Sequence, residues 1–355
     1  MRSDDMPSFH TIVAASGSNN LGFYMYHGGN NPHSLVYLDD APNTTLQESS
    51  FQPAGPQNGM PSESYDFFAP LGEFGQPRQH YHDMRRFHLF LETFGSWMTE
   101  MVNTLPDQRP SGPQDTTTPR LAVRSNNYAG FLFVNNHQRQ TIMPAKNFSA
   151  VITAADGSQL AIPFPGSTQT EVTINPGVWF HWPFNVPMTP TGVVNLTLAT
   201  AQPVSVLQTG PSAQTWVFVA TPGVPAQFVL NLGSNVQIAS HQGTLRRQGA
   251  SYVIENIANS SWSSPAVVIA GGPWTSISIV LLPESTRSQL WTATLDGQRH
   301  LLVSAATVLF VDNNTLHLRC ETADACSALV YPPLVSCPAG GGGGGEKKKK
   351  KRKKF

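Results

Sequence analysis

Leu21-Gly-Phe-Tyr-Met-Tyr-His-Gly-Gly-Asn-Asn-Pro32 decides how the first part of this chain is read. The run over residues 21–26 is apolar or aromatic apart from one glycine and breaks at Gly28-Gly29. It predicts a buried strand whose C-terminal end opens into a loop that needs glycine's backbone freedom. Alternation would set Tyr24 and Tyr26 on one face and Phe23, Met25 and His27 on the other. Barrel enzymes carry their active sites at such strand ends. A second segment, Ser64-Tyr-Asp-Phe-Phe-Ala-Pro-Leu-Gly-Glu-Phe-Gly75, follows about forty residues later.

Apolar residues at Tyr81, Met84, Phe87, His88, Leu91, Phe94, Met98 and Met101 step by three and four, which predicts one helix face over 81–102. Strand, long loop and helix make one β/α unit, and a loop of this length is more than a connector.

The two quoted segments resemble the glycoside hydrolase family 35 β-galactosidases, whose barrels end in Tyr-Met-Tyr-His-Gly-Gly-Thr-Asn followed by Ser-Tyr-Asp-Tyr-x-Ala-Pro-x-x-Glu-x-Gly. The similarity extends through residues 120–139, where Arg124-Ser precedes Gly130-Phe-Leu-Phe-Val-Asn-Asn-His137. Asn30 stands where the family has Thr, and Phe67 replaces the loop's second tyrosine. The resemblance implies a retaining glycosidase acting on terminal β-galactosyl residues without metal or organic cofactor. Such an enzyme uses two carboxylates about 5 to 5.5 Å apart. The family carries both glutamates upstream of the Tyr-Met-Tyr-His-Gly-Gly strand, and neither motif is present here. The chain is therefore expected to be the C-terminal part of such an enzyme, inactive by itself. The resemblance also puts a tyrosine of the loop near galactose and nucleophile, at Tyr65 or at the position held by Phe67. Tyr65 is the leading substrate contact, with Tyr26 and Asn31 as weaker candidates at the barrel mouth.

Beyond the Pro-rich stretch 104–119 the pattern changes. Short Val/Ile/Phe/Thr-rich runs at 130–134, 148–153, 171–174, 194–200, 215–220, 226–231, 251–257, 266–270, 276–282, 289–295, 307–311 and 315–320 alternate with Gly, Pro, Asn or Asp. This spacing predicts antiparallel β-sandwich or barrel modules. The expected organisation is a remnant of a (β/α)8 barrel over 1–103, a linker over 104–119, β-rich accessory structure over 120–338 and a disordered tail over 339–355. A lone β/α unit leaves strand edges unpaired and a helix face bare, so 1–103 is expected to be the less stable part. The whole chain is thus read as mainly β, with the final β/α unit of a truncated TIM barrel in front.

The 355 residues, 40% hydrophobic and 12% charged, suit a loop-rich globular protein. The formal net charge of zero conceals an asymmetry: eight of 22 basic and one of 22 acidic groups lie in residues 346–355, so the other 345 residues carry 14 basic and 21 acidic groups, a net of −7. Gly340 to Gly345 and the lysine run after them read as a translated purine-rich tract; a nucleic-acid or nuclear-localisation patch and a solvated tail are the other readings. The body has no basic patch, so no nucleic-acid partner is expected. No apolar run reaches the roughly 20 residues needed to span a bilayer, and the first residues lack a signal-peptide pattern. The compartment and oligomeric state stay open; extracellular or periplasmic residence would suit an intact relative.

Cys320, Cys326 and Cys337 fit no zinc spacing; a Cys320–Cys326 disulfide is one reading, three small packed residues the other. Asn43, Asn147, Asn195, Asn259 and Asn313 begin Asn-x-Ser/Thr patterns. Asp66 and Glu73 are the nearest thing to a carboxylate pair, and the resemblance makes Glu73 a structural loop residue. His80, His82 and His88 read as helix-surface and cap residues rather than metal ligands. Trp179-Phe-His-Trp-Pro-Phe184 offers a sugar-stacking platform or core. The rival to the hydrolase reading is a non-catalytic carbohydrate-binding or structural β-sandwich protein.

Overall fold

The computed structural model of the protein describes residues 3–30, 64–126, 128–272 and 274–334. Asn31, Asn43, Cys337 and the tail lie outside the described residues.

The fold is mainly β with antiparallel sheets. One sheet has eight strands, in the order Thr244–Gln248, Ser251–Glu255, Phe228–Leu232, Val194–Ala199, Trp179–Pro187, Ala129–Asn135, Arg120–Asn126 and Val102–Thr104. A second has five, in the order Ala201–Gly210, Ala213–Ala220, Trp274–Leu282, Val267–Gly271 and Val236–His241, with one parallel pair between Ala213–Ala220 and Trp274–Leu282. The chain passes from the edge strand of the second sheet to that of the first at Gln242-Gly243. Gly243 has φ +69°, and a Cβ there would stand 2.2 Å from the Glu255 carbonyl oxygen, so only glycine makes this crossing.

The central strands are packed on both faces, which is why they read as unbroken apolar runs. Every residue of Ala129–Asn135 is buried. Phe131 and Phe133 enter the core shared by the two sheets, while Leu132 and Val134 join Phe180, Trp182 and Phe184 on the outer face of the eight-stranded sheet. Trp216 and Phe218 likewise enter the shared core, and Val217 and Val219 pack behind it. Both Trp179 and Trp182 are buried, so the tryptophan segment is core rather than a stacking platform; the Trp182 indole donates to Thr221 Oγ1 at 2.8 Å.

All twelve expected β-runs fall on strands, 148–153 across two of them, but the expected N-terminal strand does not form. Residues 21–26 form no strand. They run as irregular chain and turn, and regular pairing begins only at Gly29–Asn30, against Ser64–Tyr65. No neighbouring strand among the described residues offers residues 21–26 a partner, and an apolar run without one has its backbone hydrogen bonds to satisfy otherwise. The expected helix forms as α2, Gln79–Met98, ending at Met98 rather than at residue 102; Val102 then starts the edge strand of the eight-stranded sheet.

The apolar face of α2 is not bare. Phe87, Phe90, Phe94 and Met98 enter the shared core together with Ala14 and Ala15 of a second helix, α1 (Asp5–Ala15). Arg124 fastens both helices to the sheet. Its side chain is buried, and its guanidinium donates to the carbonyls of Ala14 and Ser18 at 3.1 Å, Met98 at 2.6 Å and Met101 at 3.3 Å, and to Asn19 Oδ1 at 2.8 Å. These carbonyls close the C-terminal ends of α1 and α2, where the helix dipoles favour a cation. At the far end of the fold Arg85 donates to Leu290 O at 2.6 Å and Ser288 O at 2.8 Å and lies 3.3 Å over the Trp291 ring. Arg287–Asp83 and Arg299–Glu92 ion pairs at 3.3 and 2.9 Å add two further ties from α2. Residues 105–119 hold no regular element, yet the helices before them and the sheets after them share one core.

Arg124→Met should destabilise the protein by about 3 kcal/mol or more, since it leaves buried carbonyls without donors. Urea unfolding should show the lower midpoint, and limited proteolysis should cut near residues 16–21; unchanged values would mean the helix ends do not depend on this side chain.

His181 gives a pH signature. Burial, against Phe90 at 4.1 Å between ring centres and beside the Arg86 charge, pushes its imidazole down to about 3. Unfolded, it would titrate near 6.5. Between those values the unfolded chain takes up a proton that the folded one refuses, so stability falls as pH drops from about 6.5 toward 3. His181→Phe should lose less of its urea midpoint between pH 7 and pH 4.5 than the parent; equal losses would count against this assignment.

Candidate functional site

The two segments singled out in the sequence meet in space. Gly29 pairs with Tyr65 and Asn30 with Ser64 in an antiparallel ladder, and a parallel bridge joins His27 to Leu71. Gly28 N–H donates to Leu71 O at 2.7 Å, and Leu71 N–H donates to Tyr26 O at 3.0 Å. Gly28 is buried where a Cβ would stand 2.8 Å from Glu73 N and 3.0 Å from Asp66 Cα, which explains why the first segment breaks at glycine.

Asp66 organises the loop. Its Oδ1 accepts from Glu73 N–H at 2.7 Å, and its Oδ2 accepts from the Arg78 guanidinium at 2.7 Å and from Phe68 N–H at 3.3 Å. Desolvation raises the carboxyl's pKa, but these donors outweigh it and hold the group below the usual carboxylate range. Arg78 also donates to Ala69 O at 2.6 Å, and its backbone N–H to Pro70 O at 3.0 Å, just before α2 begins. The carboxylate is thus spent on holding backbone. It is not poised to move a proton, and the Asp66–Glu73 relationship is carboxylate to backbone N–H.

Tyr26 lies half-buried among Phe23, Tyr81 and His88, with ring centres 5.1, 6.3 and 6.3 Å away. Burial pushes its phenol up to about 12. It anchors the segment to α2, whereas Tyr24 is 78% exposed. Tyr65 takes part through its backbone pairing with Gly29; Asn31 lies outside the described residues. His80 Nε2 pairs with Phe68 O at 3.0 Å, so it too secures the loop.

Next to this loop a cavity of about 770 Å³ opens between α1, residues 22–24, the segment from Leu105 to Pro110, and the strands Arg120–Asn126 and Ala129–Asn135. Its walls are largely apolar, with Phe9, Ile12, Phe23, Leu121 and Phe133 among them, and Tyr24 stands at its rim 6.0 Å from the Phe67 ring. His137 Nε2 meets Asp5 Oδ1 at 2.9 Å on the polar side. Sequence reading missed this pair because 132 residues separate its members. An apolar trough with aromatic edges and few polar groups is suited to packing on the apolar face of a sugar or on a neighbouring protein surface.

Asp66→Asn should loosen the loop without unfolding the core. The Glu73 amide should lose roughly one order of magnitude of hydrogen-exchange protection, about 1.4 kcal/mol. Because the folded-state pKa of Asp66 is depressed, the parent's protection should be complete above the unfolded carboxylate range and be lost as pH falls from there through the lower folded-state value. Equal protection in parent and variant would remove Asp66 from this role.

No protein-family model matches the chain, and no curated protein matches it either.

Proposed function

We propose that this chain is part of a retaining β-galactosidase resembling glycoside hydrolase family 35, in which it supplies the final barrel unit, the loop over the sugar site and a β-rich accessory region. The observation that carries the reading is the meeting of the two segments, His27 with Leu71 and Gly29 with Tyr65, around Asp66. A loop held this closely to a chain segment is what a barrel mouth requires for placing a phenol beside a sugar. Exposed aromatics support it: Phe9, Tyr24 and Phe74 are 59, 78 and 85% exposed, all before α2, where further barrel units would pack.

In the whole enzyme one glutamate would protonate the departing aglycone and another would form the glycosyl-enzyme that water resolves. This chain contributes neither. Its part is to position: Asp66 fixes the loop backbone, and Tyr65 offers the phenol that Phe67 lacks.

The chain alone should give no turnover of a chromogenic β-galactoside above buffer. Saturable turnover lost on Glu73→Gln would overturn the assignment of roles. With the upstream barrel joined, Tyr65→Phe should lower kcat/KM by the worth of one buried hydrogen bond, about 1 to 3 kcal/mol, at unchanged melting temperature; equal kcat/KM would leave Tyr65 a packing residue. The rival reading, a non-catalytic carbohydrate-binding module, draws on the exposed Tyr24 ring at the cavity rim. It is favoured only if the chain as it stands binds galactosides and Tyr24→Ala abolishes that binding.

A further inference from the structure

Cys320 and Cys326 form a disulfide, with Cα atoms 5.4 Å apart. Persistent disulfides belong to oxidising compartments, where asparagines in Asn-x-Ser/Thr patterns meet the glycosylation machinery. The structure sorts the four described patterns by place. Asn313-Asn314-Thr315 forms the tip of the hairpin between Val308–Asp312 and Thr315–Arg319, five to seven residues before the disulfide's first cysteine; all three residues are exposed. Asn313 and Asn314 have φ of 46° and 58°, as a two-residue hairpin turn requires. The Asn314 amide is bound to Asp296, and that of Asn313 makes no hydrogen bond to the described residues. Asn259 and Ser261 are exposed in the loop between Ser251–Glu255 and Val267–Gly271. Asn147 points outward between buried Lys146 and Phe148; its Oδ1 accepts from Thr173 Oγ1 at 2.9 Å, which leaves Nδ2, the atom that is glycosylated, outside that bond.

Asn195 differs. It lies in Val194–Ala199, hydrogen-bonded to a strand on each side, and Thr197 of its pattern is buried. Its amide nitrogen, turned toward the carbonyls that it faces, donates to Val186 O and Asn185 O, both at 3.1 Å.

We propose that Asn313, Asn259 and Asn147 are N-glycan acceptor sites and that Asn195 is not one in the folded protein. The co-reactant is a lipid-linked oligosaccharyl diphosphate. The asparagine Nδ2 forms a bond to the anomeric carbon, the bond from that carbon to the diphosphate oxygen breaks, and the lipid diphosphate leaves with the electron pair. The amide nitrogen loses one proton, and nothing is oxidised or reduced. The inference is independent of the hydrolase reading, since it rests on surface position and the disulfide alone.

The test is translation of the full chain, behind a cleavable secretory leader, into endoplasmic-reticulum microsomes. Lumenal, protease-resistant protein with the Cys320–Cys326 bond formed is treated with a glycan-releasing amidase, which leaves Asp wherever a glycosylated Asn stood, and mapped by peptide mass. Asp is expected at 313, 259 and 147, with Asn retained at 195. Thr315→Ala should restore Asn at 313 alone, with the disulfide unchanged. Asn retained at 313 in the parent, or Asp at 195 in the protease-resistant fraction, would overturn the assignment.

Discussion

One buried guanidinium ties the C-terminal ends of both helices to the eight-stranded sheet. Arg124 sits in the eight-stranded sheet and gathers the carbonyls that end both α1 and α2. Among the described residues no carboxylate pairs with it; the oriented peptide groups of two helix ends face its charge instead. With both helix ends fixed, the Phe87, Phe90, Phe94 and Met98 face of α2 is aimed into the core between the sheets. From the same helix, Arg85 reaches Leu290, Ser288 and Trp291, and Arg78, at its N-terminal boundary, reaches Asp66. Loop, helix and sheets are therefore placed by one chain of polar contacts through an apolar interior.

The β-rich part was legible because strands buried on one or both faces need apolar, β-branched and aromatic residues. The strands that escaped notice lacked that signature for identifiable reasons. Val236–His241 and Thr244–Gln248 are edges of their sheets and mostly exposed, so polar residues interrupt the few apolar ones, Val236, Ile238 and Leu245, that reach the core. Ala201–Gly210 carries Pro203 at a register shift, and a proline marks a run as a poor strand until the bulge that accommodates it is seen. The aromatics of Trp179–Phe184 allow either a sugar-stacking platform or core, and their continuous burial in a central strand makes them core.

At the site, strand periodicity was a poor guide. The apolar run at 21–26 satisfies every local criterion for a strand, but strand formation depends on a partner, which no local pattern encodes. The pairing of Gly29 with Tyr65 could be suspected only because both belong to recognisable segments, and Asp66 gave no hint that its carboxylate would be used up by Glu73 N–H and Arg78. Tyr24 and Tyr26, placed on one face by alternation, part company once the strand is lost: one packs on α2 and the other faces outward.

The sharing of α2 between the sheets and the loop bears on how such a protein can be rearranged by recombination. A gene boundary drawn at residues 105–119, where composition suggests a seam, would strip the β-rich part of the aromatic face that fills its core and of the guanidinium that grips Trp291. A cassette able to travel between genes would have to begin ahead of Asp5 and carry α1, the loop and α2 with it. The heritable module is thus offset from the apparent one, and the two helices travel with the sheets that they help to hold.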